Sequence, residues 1–459
     1  MMLVAPAQNH LTSKQKSLLA ILPDSRRVAL GLLIFVIPLN IDENFFVFPS
    51  PGGADGLTFG LVEIFMLVLL SITLTRHVQS NQIGALQFFP ALLLPSLTIL
   101  GFYFISMIYA QHLLWSLFDT FNFAKAILLY WIVANNIQRE RDLRVVLVAF
   151  FAGILVQSIL TTAINVNPAL ADALFRYKFG IAPPATNISA DVTMRSGGSL
   201  GNTNHLGRYF GLLLPIAFTI FLTHRKNRLK NFAGCVALFG TVSLVNTLSR
   251  SAWAGFVFSL LIMAPLMLKY RLVSYRTLWL ISFAGICLAS FLFFSADILW
   301  TRLTGDDQGA AMTRITTAKV AWEIIKDYPF FGCGINNYGA MLSDYWIGED
   351  TFTNRAAVHN NYLLYMAEIG IIGFAAIIWW LVAFARRITA AIKSKSRFYQ
   401  AVAIGIMGGY SGMLLTSLTD KSYKENFSLL LTLWVLMAMT EAIIRMDRKL
   451  ENNQTVTVF

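Results

Sequence analysis

An all-α, polytopic membrane fold is predicted by three properties of this 459-residue sequence. Hydrophobic residues make up 56% of the chain and charged residues only 13%, with a mean hydropathy of +0.61. That balance cannot furnish the charged surface of a water-soluble protein. About twelve apolar stretches are each long enough to cross the hydrocarbon core as a helix, and only helices or closed barrels satisfy the backbone there. Lysine and arginine, finally, collect in alternate breaks between those stretches.

Read in order, the predicted spans lie near 28–47, 58–75, 88–110, 113–135, 145–165, 205–223, 232–248, 253–268, 277–296, 359–384, 398–418 and 427–444. No small-residue cleavage site follows the first, so it is read as a retained span and not as a signal peptide. The basic breaks are "SKQK" and "DSRR" before the first span, then "RERDLR", "HRKNRLKN", "KYRLVSYR", "RRITAAIKSKSR" and the tail "RMDRK". With twelve spans all of these fall on one face, which carries roughly two thirds of the Lys and Arg and is therefore read as cytoplasmic. Residues 1–27 and 445–459 form cytoplasmic ends around a membrane domain at 28–444, and "ENNQTVTVF" is read as a disordered tail. The net charge of +12 follows from this asymmetry and points to anionic membrane lipids as partners, not to nucleic acid.

The opposite face carries two long loops, roughly 166–204 and 297–358, and the candidate chemistry gathers there. Cys235 and Cys287 fall inside spans and leave Cys333 alone outside, so neither a disulfide nor a cysteine metal site is expected. No internal repeat is evident. In "HNNYLLYMAEIGIIGF", His359, Tyr362, Met366, Gly370 and Gly373 share one helical face and Glu368 lies opposite. The positive end of the helix dipole disfavours imidazolium at His359 and keeps the ring available as a base; the bland alternative is an interfacial cap. Glu368, pointing away, is expected to pair with a basic group on another span.

"NTLSRSAWAG" places Arg250 in a very short external turn, where it either snorkels to lipid phosphate or offers a planar fork to one particular phosphate. In "RSGGSLGNTNHLGRYFGLLLPIAF", which opens at Arg195, His205 and Arg208 sit three apart on one face behind Asn204 as a cap. Arg208 lies about one turn inside the boundary, a depth that demands either an ion pair or a polar cavity. Lys125 raises the same question, with Glu63 as its candidate structural partner. In the larger loop, "RITTAKVAWEIIKDYPFFGCGINNY" predicts an amphipathic surface helix that begins near Arg314 and is stopped by Pro329, with Ile315, Ala318, Trp322 and Ile325 as its apolar stripe. "GCGINNYG" lacks the spacing and the βαβ context of a dinucleotide fingerprint and reads as a flexible turn. The pairs Asp306/Asp307 and Glu349/Asp350 read as solvated loop, and no His, Asp and Glu cluster has metal-ligand spacing.

Taken in order, "GNTNHLGRYFGLLLPIAF", "TLSRSAWAG", "RITTAKVAWEIIKDYPFFGCGINNY" and "HNNYLLYMAEIGIIGF" resemble the O-antigen ligase and polymerase superfamily of bacterial envelope glycosyltransferases, over roughly residues 195–385. The resemblance implies an inner-membrane enzyme that transfers a glycan, with inversion, from undecaprenyl pyrophosphate to a hydroxyl acceptor, either lipid A core or a growing glycan, on the periplasmic side. Within it His359 matches the histidine proposed as base on the acceptor, Arg250 the arginine of the short turn, Arg314 the arginine that opens the loop helix, and Arg208 and Arg195 are further matches. Arg250 is read as a ligand of the pyrophosphate and Arg314 as a second donor ligand, with acceptor contact as its alternative; His205 and Asn360 are further candidate substrate contacts, and with arginines in place of metal-ligand clusters neither cofactor nor metal is expected. The sequence departs from the family at "NTN", where an asparagine-proline-asparagine is common. Ligation is the leading expectation, polymerisation the alternative within the superfamily. A multi-span transporter is the rival from another class, disfavoured by the absence of inverted repeats and of acidic pairs at mid-membrane.

Overall fold

A computed structural model describes residues 13–48, 54–79, 86–167, 170, 196–223, 228–275, 310–346 and 357–456. Arg195, Cys287, the span predicted at 277–296 and both acidic loop pairs lie outside the described residues. Fourteen α-helices are described: α1 (Ser13–Val36), α2 (Leu61–Gln79), α3 (Pro90–Ser106), α4 (Leu113–Asn136), α5 (Glu140–Val166), α6 (Thr203–Thr223), α7 (Arg228–Asn246), α8 (Arg250–Lys269), α9 (Ala310–Asp327), α10 (Tyr338–Tyr345), α11 (Asn361–Ile392), α12 (Arg397–Thr416), α13 (Ser422–Glu425) and α14 (Phe427–Val456). Ten of them are long and apolar enough to cross a membrane, all of them predicted as spans. The fold is all-α and polytopic.

The first predicted span differs from the structure. Helix α1 ends at Val36, a short 3-10 turn covers Ile37–Leu39 with Pro38 in it, and Asn40 takes a left-handed backbone at φ 53°. Proline supplies no amide to prolong the helix, and asparagine tolerates positive φ. The chain then forms β1 (Asp42–Phe45), paired antiparallel with β2 (Leu57–Gly60) in the register Asp42 to Gly60. At the other terminus α14 runs on to Val456, through residues expected to be disordered, and no Gly or Pro interrupts that stretch.

Glycines let α12 approach its neighbours. A Cβ at Gly409 would collide with the Leu212 carbonyl of α6, and one at Gly412 would lie 2.6 Å from the Gly255 carbonyl oxygen of α8. Lipid offers no hydrophobic force between helices, so such close backbone contact is what holds a membrane bundle together. Helix α14 is the innermost span: fully buried Trp434 packs edge-on to Phe123 and Tyr130 and tilted against Trp380, at centroid distances of 5.6, 5.8 and 5.3 Å. Lys125 is indeed held by Glu63, at 2.7 Å, and by the Thr58 carbonyl, so it is structural.

The larger loop builds a second, smaller core in which Val320, Ala321 and Ile324 of α9 meet Tyr338, Met341, Leu342 and Leu364. This corrects the predicted stripe, since Ile315 and Trp322 are each 52% exposed and only Ile325 of the four is fully buried. The helix also starts earlier than predicted, at Ala310. Spacing alone gives the apolar stripe of a surface helix; the buried face is offset from it because Thr317 and Val320, not Ile315, face α10.

"FFGCGINN" is not a flexible turn. Cys333 N and Gly334 N donate to the carbonyls of Ala367 and Glu368 at 2.9 and 3.0 Å, and Ile371 N donates to the Pro329 carbonyl at 2.8 Å. These bonds exist because α11 breaks at Gly370 (φ 71°), which exposes carbonyls and an amide that a regular helix would consume. Beyond the glycines, Ile335 N donates to Ser106 Oγ, and Asn337 Nδ2 donates to Ser116 Oγ at 2.8 Å. The segment straps the loop core to α3, α4 and α11.

Candidate active site

His359 stands one residue before the cap of α11. The cap is Asn360, whose Oδ1 accepts from Tyr362 N and Leu363 N at 2.9 and 3.0 Å. That uses the oxygen predicted for substrate and leaves only the amide NH₂ of Asn360. The start of α11 is fixed to the end of α12: Asn361 N donates to the Ser417 carbonyl at 2.9 Å and Tyr362 Oη to the Leu414 carbonyl at 2.9 Å. The histidine ring itself makes no hydrogen bond to a described residue.

Beside it lies a segment that sequence reasoning passed over, the link 417–426 between α12 and α14 with the single turn α13 inside it. Asp420, Lys421, Ser422 and Asn426 are all buried there. Asp420 Oδ1 accepts from Ser422 N at 2.6 Å and from the Ser422 hydroxyl, the turn-forming use of an aspartate. Each charge of the link finds an opposite one. Asp420 Oδ2 lies 3.2 Å from Arg208 Nη2. Lys421 reaches Glu425 at 3.4 Å, and Glu425 reaches His205 Nε2 at 3.7 Å. Lys424 lies 2.6 Å from Glu368 and 3.6 Å from Asp119, which supplies the partner predicted for Glu368. Burial alone would discharge Lys424; the two carboxylates outweigh it and hold the ammonium well above its usual range, so it stays charged.

Arg208 of α6, its side chain 1% exposed, packs against this link through Asp420. Its Nη2 also donates to Ser251 Oγ at 2.9 Å, while Nε and Nη1 are buried without a hydrogen-bond partner among the described residues. Buried donors left unused are costly, and a guanidinium in this state has the capacity to bond a further acceptor. The ion pair foreseen as the rival to a functional role is present, yet it occupies only one nitrogen. His205 Nδ1 lies 3.3 Å from Asn426 Nδ2 and 3.4 Å from the Leu200 carbonyl, which places the ring in the network and not in the open.

The serine-arginine turn joins the same centre. Ser249 Oγ donates to Asn204 Oδ1 at 2.8 Å, and Gly207 packs directly on Ala252. Leu248 adopts φ 51°, the tight turn expected there, and Arg250 is then the first residue of α8. Arg314 is exposed on the second turn of α9. Its charge nevertheless reaches His359. Burial first, then Lys421 and Arg314, hold the imidazole below its ordinary range, against the opposing pull of Asp420 and Glu425. Burial resists ionisation of Glu425, but the His205 ring and Lys421 win and bring it down to about 2. The result is a neutral histidine beside a set of permanent cations, an arrangement that can accept a proton next to a place where an anion is held.

Of the predicted residues, the structure brings together His359, Arg314, Arg208, His205 and Asn360, while Arg250 heads the neighbouring helix. Asp420, Lys421, Lys424 and Glu425 are the additions. "DKSYKE" was a visible signal, four charges in a break too short to be a domain.

Comparison with curated proteins finds no match. Residues 233–378 match the family model described as O-antigen ligase, a segment running from α7 into α11 that contains Arg250, Arg314 and His359. Arg208, His205 and the link 417–426 lie outside it. With the all-α, multi-span architecture, this match over about a third of the chain supports a likeness to the O-antigen ligase and polymerase superfamily.

Proposed function

We propose that this site transfers a glycan from an undecaprenyl-pyrophosphate carrier to a sugar hydroxyl at the periplasmic face of the bacterial inner membrane, with both termini in the cytoplasm. The observation that carries the reading is a neutral, half-buried His359 in the field of Asp420, the residue that also holds Arg208, whose Nε and Nη1 are buried without a hydrogen-bond partner among the described residues. His359 takes the acceptor hydroxyl proton, the hydroxyl oxygen attacks the anomeric carbon, and the carbon–oxygen bond to the pyrophosphate breaks with inversion. The departing charge is met by Arg208, Arg250 and Arg314, with Arg195 a further candidate. Arginine suits this because its planar fork matches phosphate oxygens. Lys421 contributes field more than contact, being committed to Glu425. His205 orients Glu425 and through it Lys421.

The reaction is read as independent of metal because these cations can supply the charge stabilisation that a divalent ion provides elsewhere. Ligation onto an envelope acceptor such as lipid A core is the leading activity, and polymerisation of repeat units is its alternative. Purified enzyme given one lipid-linked repeat unit and no other acceptor decides between them. A ladder of lengthening carrier-linked products would refute ligation; no product until an acceptor is added supports it.

A further inference from the structure

At the opposite end of the bundle lies a second cavity, of about 520 Å³, between the start of α3 and the far ends of α11 and α14. It is remote from His359: Arg445 on its wall is nineteen residues along α14 from Asn426, roughly 28 Å at the helical rise. Four cationic side chains and one carboxylate line it, namely Arg387, Arg445, Arg448 and Lys449 with Glu441. Arg387 and Glu441 neutralise each other through a two-pronged pair at 2.6 and 2.5 Å. Asp447, one turn away, is engaged by the Ser394 hydroxyl at 2.6 Å.

Arg445, Arg448 and Lys449 form no salt bridge among the described residues, although the field of Glu441 and Asp142 reaches Arg445. Arg445 donates through Nη2 to the Ala134 and Ile137 carbonyls and stacks over Phe89 at 5.3 Å. Those contacts aim its guanidinium but cancel none of its charge. Arg448 and Lys449 are exposed at the rim. Phe89 also begins α3 without a side-chain cap, so the positive end of that helix opens on the same cavity. Phe88 in the lining is 62% exposed, and beyond the cavity the flank stays apolar, with Leu94 and Leu97 of α3 52% and 42% exposed.

Cationic depth, helix dipole and an adjoining apolar flank at a membrane end match one class of ligand. We infer that this cavity binds the phosphate headgroup of an anionic diacyl phospholipid of the leaflet opposite the transfer site, with its acyl chains lying along α3. By the lysine and arginine asymmetry that leaflet is the cytoplasmic one. A basic pocket among spans is the expected form of such a site, and the volume suits a headgroup. The inference does not depend on the transfer reaction.

The test uses the full-length protein in neutral detergent micelles, with bound dioleoyl phosphatidylglycerol measured by native mass spectrometry against dioleoyl phosphatidylcholine. Phosphatidylglycerol should be retained preferentially, and the double variant Arg448→Ala/Lys449→Ala should weaken it on the order of tenfold to thirtyfold. Both substituted residues are exposed, and an unchanged melting temperature in phosphatidylcholine alone confirms that the variant is folded. Equal retention of the two lipids, or an unaffected double variant, overturns the proposal. So does displacement of the lipid by inorganic phosphate at comparable concentration, which would identify a soluble-anion site.

Discussion

Replacing Asp420 by asparagine removes the only carboxylate that the described residues set against Arg208, without altering the size of the side chain. The wild-type pair is 1% and 9% exposed, so the guanidinium left behind cannot recover its hydration by turning to water. Asparagine has one acceptor oxygen where aspartate has two, and the Ser422 amide and hydroxyl already compete for it. Breaking one partner of a buried ion pair typically costs about 3–5 kcal/mol, and the surviving Ser251 contact argues for the lower end. In a chain of this size that is a fall in melting temperature of roughly 3 °C in detergent. The functional reading adds a second expectation: a lipid-linked pyrophosphate, as the missing counter-anion for Arg208, should restore stability to Asp420→Asn more than it adds to wild type. A variant melting within 1 °C or so of wild type would refute the burial argument. A destabilised variant indifferent to donor would keep the ion pair and remove Arg208 from the donor site.

His359→Ala should lower turnover on the order of 10² to 10⁴-fold, with protein level and melting temperature unchanged, because the ring makes no hydrogen bond to a described residue; near-normal turnover of purified alanine variant removes His359 from the mechanism. Since only the neutral ring can accept a proton, activity should fall as pH drops through the lowered His359 value, and Lys421→Gln, by removing a charge that lowers it, should move that acid limb upward; a limb that stays in place or moves down contradicts the assignment. Arg250→Lys should fail as alanine does, for it keeps the charge and loses the fork, and kinetics with varied donor and acceptor will show whether Arg314 substitutions affect donor alone. Turnover should survive chelator, and restoration of lost activity by magnesium or manganese would reverse the metal-free reading.

Much of the fold could be read in the sequence because a span is a composition, and ten predicted spans coincide with helices. Turns were harder. Pro38 and Asn40 ended α1 where apolarity continued, and a hydropathy window does not register a single residue without an amide. The strap misled for a different reason: glycines usually mark freedom, but Gly332 and Gly370 are there because their backbones touch, a Cβ on either colliding with the other segment. Lys125 with Glu63 and Glu368 with a cation were legible because a charge at membrane depth must be paired. The partner of Glu368 was not, since Lys424 is 56 residues further on and only the fold brings them together.

The division of labour in the site follows from where burial is complete. Lys424 with Glu368 and Asp119 binds the link to α11 and α4, deep enough that no substrate need reach it, and fixes the height at which the link sits. One turn nearer the surface, Lys421, Glu425 and His205 form a partly open chain, and Asp420 leaves Arg208 half engaged. His359 and Arg314, which come from the re-entry point and the loop, make no side-chain hydrogen bond or ion pair with a described residue. The polar network therefore loosens toward the loops, from locked pairs to a single buried arginine with unused donors to an unbonded base. On the proposed reading a lipid-borne donor entering from the membrane side would meet the arginine and the acceptor hydroxyl reaching in from the loop side would meet the base, an order that lets two substrates approach one bond from opposite directions without competing for the same residues.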